Sequence, residues 1–226
     1  MYFGARVLLG DAARADLTAA LDWPLAREDL GIIEMPFYVD EKGLFIPIDT
    51  CREWHGAVRR KLKIRGAGNW MTHLELAVQC DPLRVLSGAR APERSMVSRD
   101  KFTSDVFNLP ISVMPTDNSK LCDHRQRQAE RGFTLADLGK EGKYKRQILG
   151  SDGVRIVRGA RIAYFALAAI ADVDGDGWAE YVITQYHGYT GKRNYLVIST
   201  LWLSKTDKGF VAGPIPPDCR ETIGKP

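Results

Sequence analysis

Ile162-Ala163-Tyr164-Phe165-Ala166-Leu167-Ala168-Ala169-Ile170-Ala171, Asp172-Val173-Asp174-Gly175-Asp176-Gly177-Trp178-Ala179-Glu180, Tyr181-Val182-Ile183-Thr184: two apolar runs flank a connection that carries four carboxylates. The longer run is too short to span a bilayer, and both read as strands. Within the connection, Asp172, Asp174 and Asp176 occupy alternate positions, so their side chains converge on one point, and Gly177 permits the sharp turn. The backbone carbonyl of Trp178 and the carboxylate of Glu180 complete an oxygen shell suited to one hard cation, expected to be Ca²⁺. Carboxylates held this close repel one another, and a bound dication removes that cost.

The loop is not an EF-hand. That motif needs a bidentate glutamate at the twelfth position, which here is Ile183, and it lies between helices. A strand, an Asp-x-Asp-x-Asp-Gly-x-x-Glu loop and a second strand resemble the calcium loop of FG-GAP and related β-propeller repeats. The resemblance covers the stretch quoted above and occurs once. It implies a calcium loop; a propeller needs several copies, so no propeller is implied.

Downstream, Tyr195 to Leu203 and Phe210-Val211 are rich in β-branched and aromatic residues and alternate with turns at 188–191 and 206–209. With Val154 to Val157 upstream, they predict an antiparallel meander. Tyr186, Tyr189 and Tyr195 with His187 are expected to form cross-strand pairs rather than a binding surface. The expected fold class is α+β, mostly antiparallel β, with short helices in the N-terminal half. The 226 residues are read as a single domain, with a subdivision into 1–118 and 119–226 allowed.

In the N-terminal half, Asp11 to Leu21 reads as an amphipathic helix and Leu25 to Leu30 as a further turn. Residues 33–39 and 44–48 form a hairpin whose Pro36 and Pro47 place it at a sheet edge. Thr72 to Cys80 alternates apolar and polar side chains and predicts a half-buried strand with His73 exposed. Residues 87–105 read as a long loop, and 108–115 as an extended piece. A polar helix runs from Ser119 to Arg131, closed by Gly132, with a short helix after Leu135.

Arg59, Arg60, Lys61, Lys63 and Arg65 form a basic patch, read on a strand from Val58 to Arg65 as a solvated face. Arg125 to Arg161 holds ten Lys/Arg against four Asp/Glu and carries most of the excess charge. The net charge of +4 suits an acidic partner without demanding one. Nucleic acid is not the expected partner. No apolar run reaches the roughly 18 residues of a membrane span.

Four cysteines, Cys51, Cys80, Cys122 and Cys219, lack the close pairs of a zinc site. Three disulfide pairings are open; Cys51–Cys80 with Cys122–Cys219 is favoured because the first two each end a strand-like run. Cys122 and His124 point in different directions around one helix and cannot pair directly as nucleophile and base. Residues 1–10 are too short in apolar character for a signal core. Calcium and an even cysteine count point instead to a periplasmic or secreted bacterial protein whose signal sequence is absent from these residues. No triad, phosphate loop, dinucleotide fingerprint or zinc motif is present. The function expected is a non-enzymatic, calcium-binding module for another protein, such as an inhibitor or immunity-type protein. The alternative is a calcium-dependent hydrolase of cell-wall or carbohydrate substrate, favoured if two acidic residues outside the loop, such as Glu34 and Glu75, face each other across a pocket at glycosidase spacing.

Overall fold

A computed structural model describes residues 17, 19, 21–22, 37–39, 42–64, 67–114, 119–140, 144–189 and 192–213. The expected class is observed: helices join two antiparallel sheets, the larger in the C-terminal half. The chain divides at Gly88/Ala89 into units Met1–Gly88 and Ala89–Lys225. The subdivision allowed from sequence, at 118/119, lies inside the second.

In the first unit, β1 (Phe37–Val39) and β2 (Phe45–Pro47) pair antiparallel as the expected hairpin. A third strand, β3 (Lys63–Ile64), adds to the other side of β1. Pro47 therefore sits on an edge strand, where its missing N–H breaks no ladder. Helix α1 (Cys51–Arg59) begins at a reciprocal cap: Thr50 Oγ1 accepts from the Glu53 amide at 3.2 Å, and Glu53 Oε2 accepts from the Thr50 amide at 3.1 Å. The basic patch is thus not a strand. Arg59 ends α1, Arg60 and Lys61 follow it exposed, and Lys63 lies in β3; Arg65 is outside the described residues.

The segment read as the strand Thr72–Cys80 is the middle of helix α2 (Ala67–Leu86). Leu74, Leu76, Ala77, Val78 and Cys80 are all buried. A helix enclosed around most of its circumference has no one-sided period, and its apolar run mimicked a strand. The Cys51–Cys80 disulfide forms as expected, but between two helices rather than two strand ends. His73 is also not exposed. It is half-buried, with Tyr38 Oη 2.5 Å and Trp54 Nε1 3.3 Å from its Nδ1. Burial holds its pKa down at about 4, and burial raises that of Asp81 to about 6 against the pull of Arg84. Of the expected helix 11–21, Leu17, Ala19 and Leu21 are described; the first two are helical and Leu21 lies in a turn. Leu25–Leu30, Pro36 and the 214–217 tail fall outside the described residues.

In the second unit, the segment read as loop 87–105 ends in helix α3 (Phe102–Asp105), and 108–115 forms 3₁₀ turns at Val106–Asn108 and Ile111–Val113 rather than an extended piece. Helices α4 (Ser119–Glu130) and α5 (Leu135–Lys140) match the expected positions, with Gly132 at φ 81° after α4. The sheet is a meander: β4 (Lys145–Ile148), β5 (Gly153–Arg158), β6 (Arg161–Ala171), β7 (Glu180–Tyr189), β8 (Lys192–Thr206) and β9 (Gly209–Gly213), each paired with the next. One sheet face presents Val154, Ile156, Ala163, Phe165, Tyr181, Ile183, Leu201 and Leu203 to Phe102, Val106, Leu109, Leu135 and Leu138. This is the unit's core. The Tyr181 hydroxyl reaches through it, accepting from the Ser98 amide at 3.1 Å and lying 3.0 Å from Asp105 Oδ2, while Lys205 Nζ donates to Asp105 Oδ1 at 3.1 Å.

Two stability predictions follow from the first unit. Replacing Cys51 and Cys80 together by alanine opens a loop of 29 residues' separation and is expected to lower stability by about 3–4 kcal/mol in urea unfolding. Asp81 binds its proton more tightly when folded, so its contribution falls as pH rises from 3.8 to about 6. His73 binds its proton less tightly when folded, so its contribution rises from about pH 4 to 6.5. The opposed slopes are expected to leave the wild type nearly flat there. Asp81→Asn should expose a rise of about 3 kcal/mol across that window, and a flat profile in that variant would count against the assignment.

Candidate metal centre

The connection between β6 and β7 is closed at its neck by the pair Ala171↔Glu180. Inside it, each aspartate accepts backbone N–H groups, which curls the chain around the carboxylates. Asp172 Oδ1 accepts from Gly175 at 2.7 Å and its Oδ2 from Gly177 at 3.2 Å. Asp174 Oδ1 accepts from Asp176 at 3.2 Å, and Asp176 Oδ1 from Trp178 at 2.8 Å. These bonds require left-handed backbone at Gly175 (φ 83°) and Gly177 (φ 86°).

A second segment grips the loop from outside. The Arg90 amide donates to the Asp172 carbonyl at 2.7 Å, and the Asp172 amide returns the bond at 3.0 Å. The Gly177 carbonyl accepts from Glu93 and Arg94, and the Ala179 amide donates to the Arg94 carbonyl at 2.9 Å. The Arg94 guanidinium lies over the Trp178 ring, 4.4 Å from its centre. Residues 90–94 were a polar loop in the sequence, and their backbone pairing with a stretch so distant in the chain left no local signal.

The three aspartates meet as expected: ligand oxygens of Asp172, Asp174 and Asp176 lie within 4.8 Å of one another. Asp172 is buried at 2 % exposure, and Asp174 and Asp176 are open to solvent. This arrangement can hold a metal ion. Glu180 does not join that 4.8 Å set; it is wholly buried behind it. Its Oε2 accepts from the Val173 amide at 2.7 Å, while its Oε1 is buried with no hydrogen-bond partner among the described residues. Burial, and then the charges of Asp174, Asp176 and Asp172, push its pKa up to about 7. The Trp178 carbonyl takes part in none of the loop's described hydrogen bonds. Among the described residues no lysine or arginine forms an ion pair with any of the four carboxylates.

The other expected sites lie elsewhere. Cys122 is buried on α4 and disulfide-bonded, so its thiol is not a nucleophile; its expected partner, Cys219, is outside the described residues. Arg59 and Arg60 border an open groove of about 520 Å³ with Ile46, Pro47, Ile48, Glu53 and Gly56. Tyr164 and Tyr186 form a cross-strand pair with ring centres 5.0 Å apart, as expected for such residues. Glu34 is outside the described residues, as is the side chain of Glu75. Among the described residues no helix is long and apolar enough to cross a membrane. Comparison with protein-family models, curated proteins and solved structures finds no match.

Gly177→Ala tests the loop geometry. Its new Cβ would lie 3.6 Å from the Glu93 carboxylate on a backbone at φ 86°. A loss of about 1–2 kcal/mol is expected in thermal unfolding, against a gain of up to about 1 kcal/mol for Gly56→Ala, which has open space and helical backbone in α1.

Proposed function

We propose that this chain is an extracytoplasmic protein-binding module in which the β6–β7 loop takes one Ca²⁺ as a structural ligand. The observation that carries the metal assignment is the buried Oε1 of Glu180, unpartnered among the described residues, beside three convergent aspartates, none of the four forming an ion pair with a described lysine or arginine. A buried carboxylate oxygen without a donor is costly, and a cation in the cage offsets that cost through the field it adds. All-oxygen donors of this kind suit calcium better than a transition metal. Asp172, Asp174 and Asp176 would ligate through carboxylates and Trp178 through its carbonyl, with Glu180 as the charge beneath them. The strand–loop–strand setting keeps the likeness to an FG-GAP calcium loop.

The Cys51–Cys80 disulfide, with Cys122 also oxidised, supports an oxidising compartment, where calcium is plentiful. The protein-binding part of the reading is supported by β4, an edge strand whose side chains are all exposed and which ends on the exposed apolar pair Ile148 and Leu149.

Thermal unfolding with and without calcium tests the metal assignment. Calcium at a hundredfold above its Kd is expected to add about 2.7 kcal/mol, a rise of several degrees in Tm. Asp174→Ala and Glu180→Gln should lose most of that rise. Equal midpoints in calcium and chelator for the wild type would sink the assignment. Affinity capture from an extracytoplasmic extract, beside Ile148→Lys/Leu149→Lys, tests the surface: identical captured proteins for both would remove β4 from the reading.

A further inference from the structure

The end of the meander away from the carboxylates carries the opposite charge. Strand register sets one row there: Arg158 faces Arg161, Arg161 faces Tyr189, and Tyr189 faces Lys192. Continuing the β4–β5 register one residue past Lys145↔Val157 brings Tyr144 alongside Arg158. Direct cross-strand neighbours share a sheet face, so Tyr144, Arg158, Arg161 and Tyr189 line this edge on the face that carries the core, the two arginines flanked by the two phenol rings. The contacts agree with the register. The Arg158 guanidinium lies 5.1 Å from the centre of the Tyr144 ring and donates to its hydroxyl at 3.0 Å; that of Arg161 lies 5.6 Å from the centre of Tyr189.

Arg125 reaches the same place from α4. It is only 6 % exposed, and its Nη1 donates to the Met114 carbonyl at 2.8 Å, which fixes its direction. The Tyr144 hydroxyl also hydrogen-bonds it. Burial, and the nearby charges of Arg161 and Arg158, press its pKa below the usual arginine range. Two guanidiniums, Arg125 and Arg158, thus share one phenol at a partly enclosed spot, with the Arg161 charge close by, where like charges repel more strongly than in water. A guanidinium stacked on a ring still presents its N–H donors in its own plane, and a tetrahedral oxyanion can accept from several at once.

We propose that Arg125, Arg158 and Arg161, with the Tyr144 hydroxyl, form a binding site for a phosphate or sulfate group carried by a small molecule. The buried position of Arg125 favours a single inserted group. A nucleic acid would instead call for an exposed basic stripe along which successive phosphates lie.

The test is calorimetric titration of inorganic phosphate and, separately, sulfate into the full chain, at constant ionic strength and micromolar calcium so that nothing precipitates. The two anions also separate the two possible groups. Saturable binding is expected, weakened about tenfold in Arg158→Gln and in Arg161→Gln and unchanged in Arg155→Gln, whose residue points to the opposite sheet face. Circular dichroism of each variant checks the fold. Should Arg158→Gln not fold, Tyr144→Phe, which keeps the ring and removes the hydroxyl, is expected to weaken binding several-fold. Absence of saturable binding for both anions would overturn the proposal. So would equal weakening in Arg155→Gln, or a single-stranded oligonucleotide binding with steep salt dependence where neither anion binds.

Discussion

Repulsion among Asp172, Asp174, Asp176 and Glu180 is the constraint around which the second unit is arranged. β6 and β7 pair along most of their length, and β7 is buried on both faces from Glu180 to Gln185. The connection between them cannot be relaxed without disturbing that pairing. The chain therefore spends backbone amides on the problem: Val173, Gly175, Asp176, Gly177 and Trp178 each donate to a carboxylate of the loop. Charge-assisted bonds of this type are strong, yet one oxygen of Glu180 is left over, and an amide carries no net charge to cancel four. The geometry is complete in its directions and incomplete in its charge, which is why a cation is its natural complement.

Much of this was legible because the residues concerned act locally. The carboxylate spacing, the glycines that turn the loop and the β-rich segments after Val154 all state their structure within a few positions. β5 and the first half of β6 bury one face, at Val154, Ile156, Ala163 and Phe165, against the core of Phe102, Leu109 and Leu135, whereas β7 is buried on both faces from Glu180 to Gln185 and was legible as a continuous apolar run. Where burial surrounds a helix, its one-sided period disappears: α2 is enclosed at Leu74, Leu76, Ala77, Val78 and Cys80 alike, and its alternating spacing pointed to a strand. The start of α1 was present in the sequence as Thr50-x-x-Glu53, a capping box ahead of Trp54 and Ala57. β4 could not be read, since its four residues are all exposed and carry no apolar face. Nor could the grip of residues 90–94 on the loop, or the meeting of Arg125 with Arg158 and Arg161, which only the tertiary fold creates.

The first unit solves a different problem. Its sheet is very short, with three strands of two or three residues. Enclosure comes instead from α1 and α2, joined by the Cys51–Cys80 bond and by Trp54 and Tyr38, both bonded to His73. Protonating His73 at Nδ1 would remove the acceptor on which both neighbours rely, so burial and hydrogen bonding act in the same direction there. A small domain with little sheet gains more from such a staple than a large one would.

The meander has a consequence for how the second unit assembles. Each strand from β4 to β9 pairs with its neighbour in sequence, so every pairing closes a short loop at low entropic cost. The bridge from Arg90 to Asp172 is of another kind, since α3, α4, α5 and three strands lie between its ends and closing so long a loop costs more entropy. Hairpin β6–β7, with its carboxylates already gathered by their own amides, can therefore exist before residues 90–94 dock on it. An ion captured at that stage would act as a folding nucleus, and the outer segment would be the last piece to close.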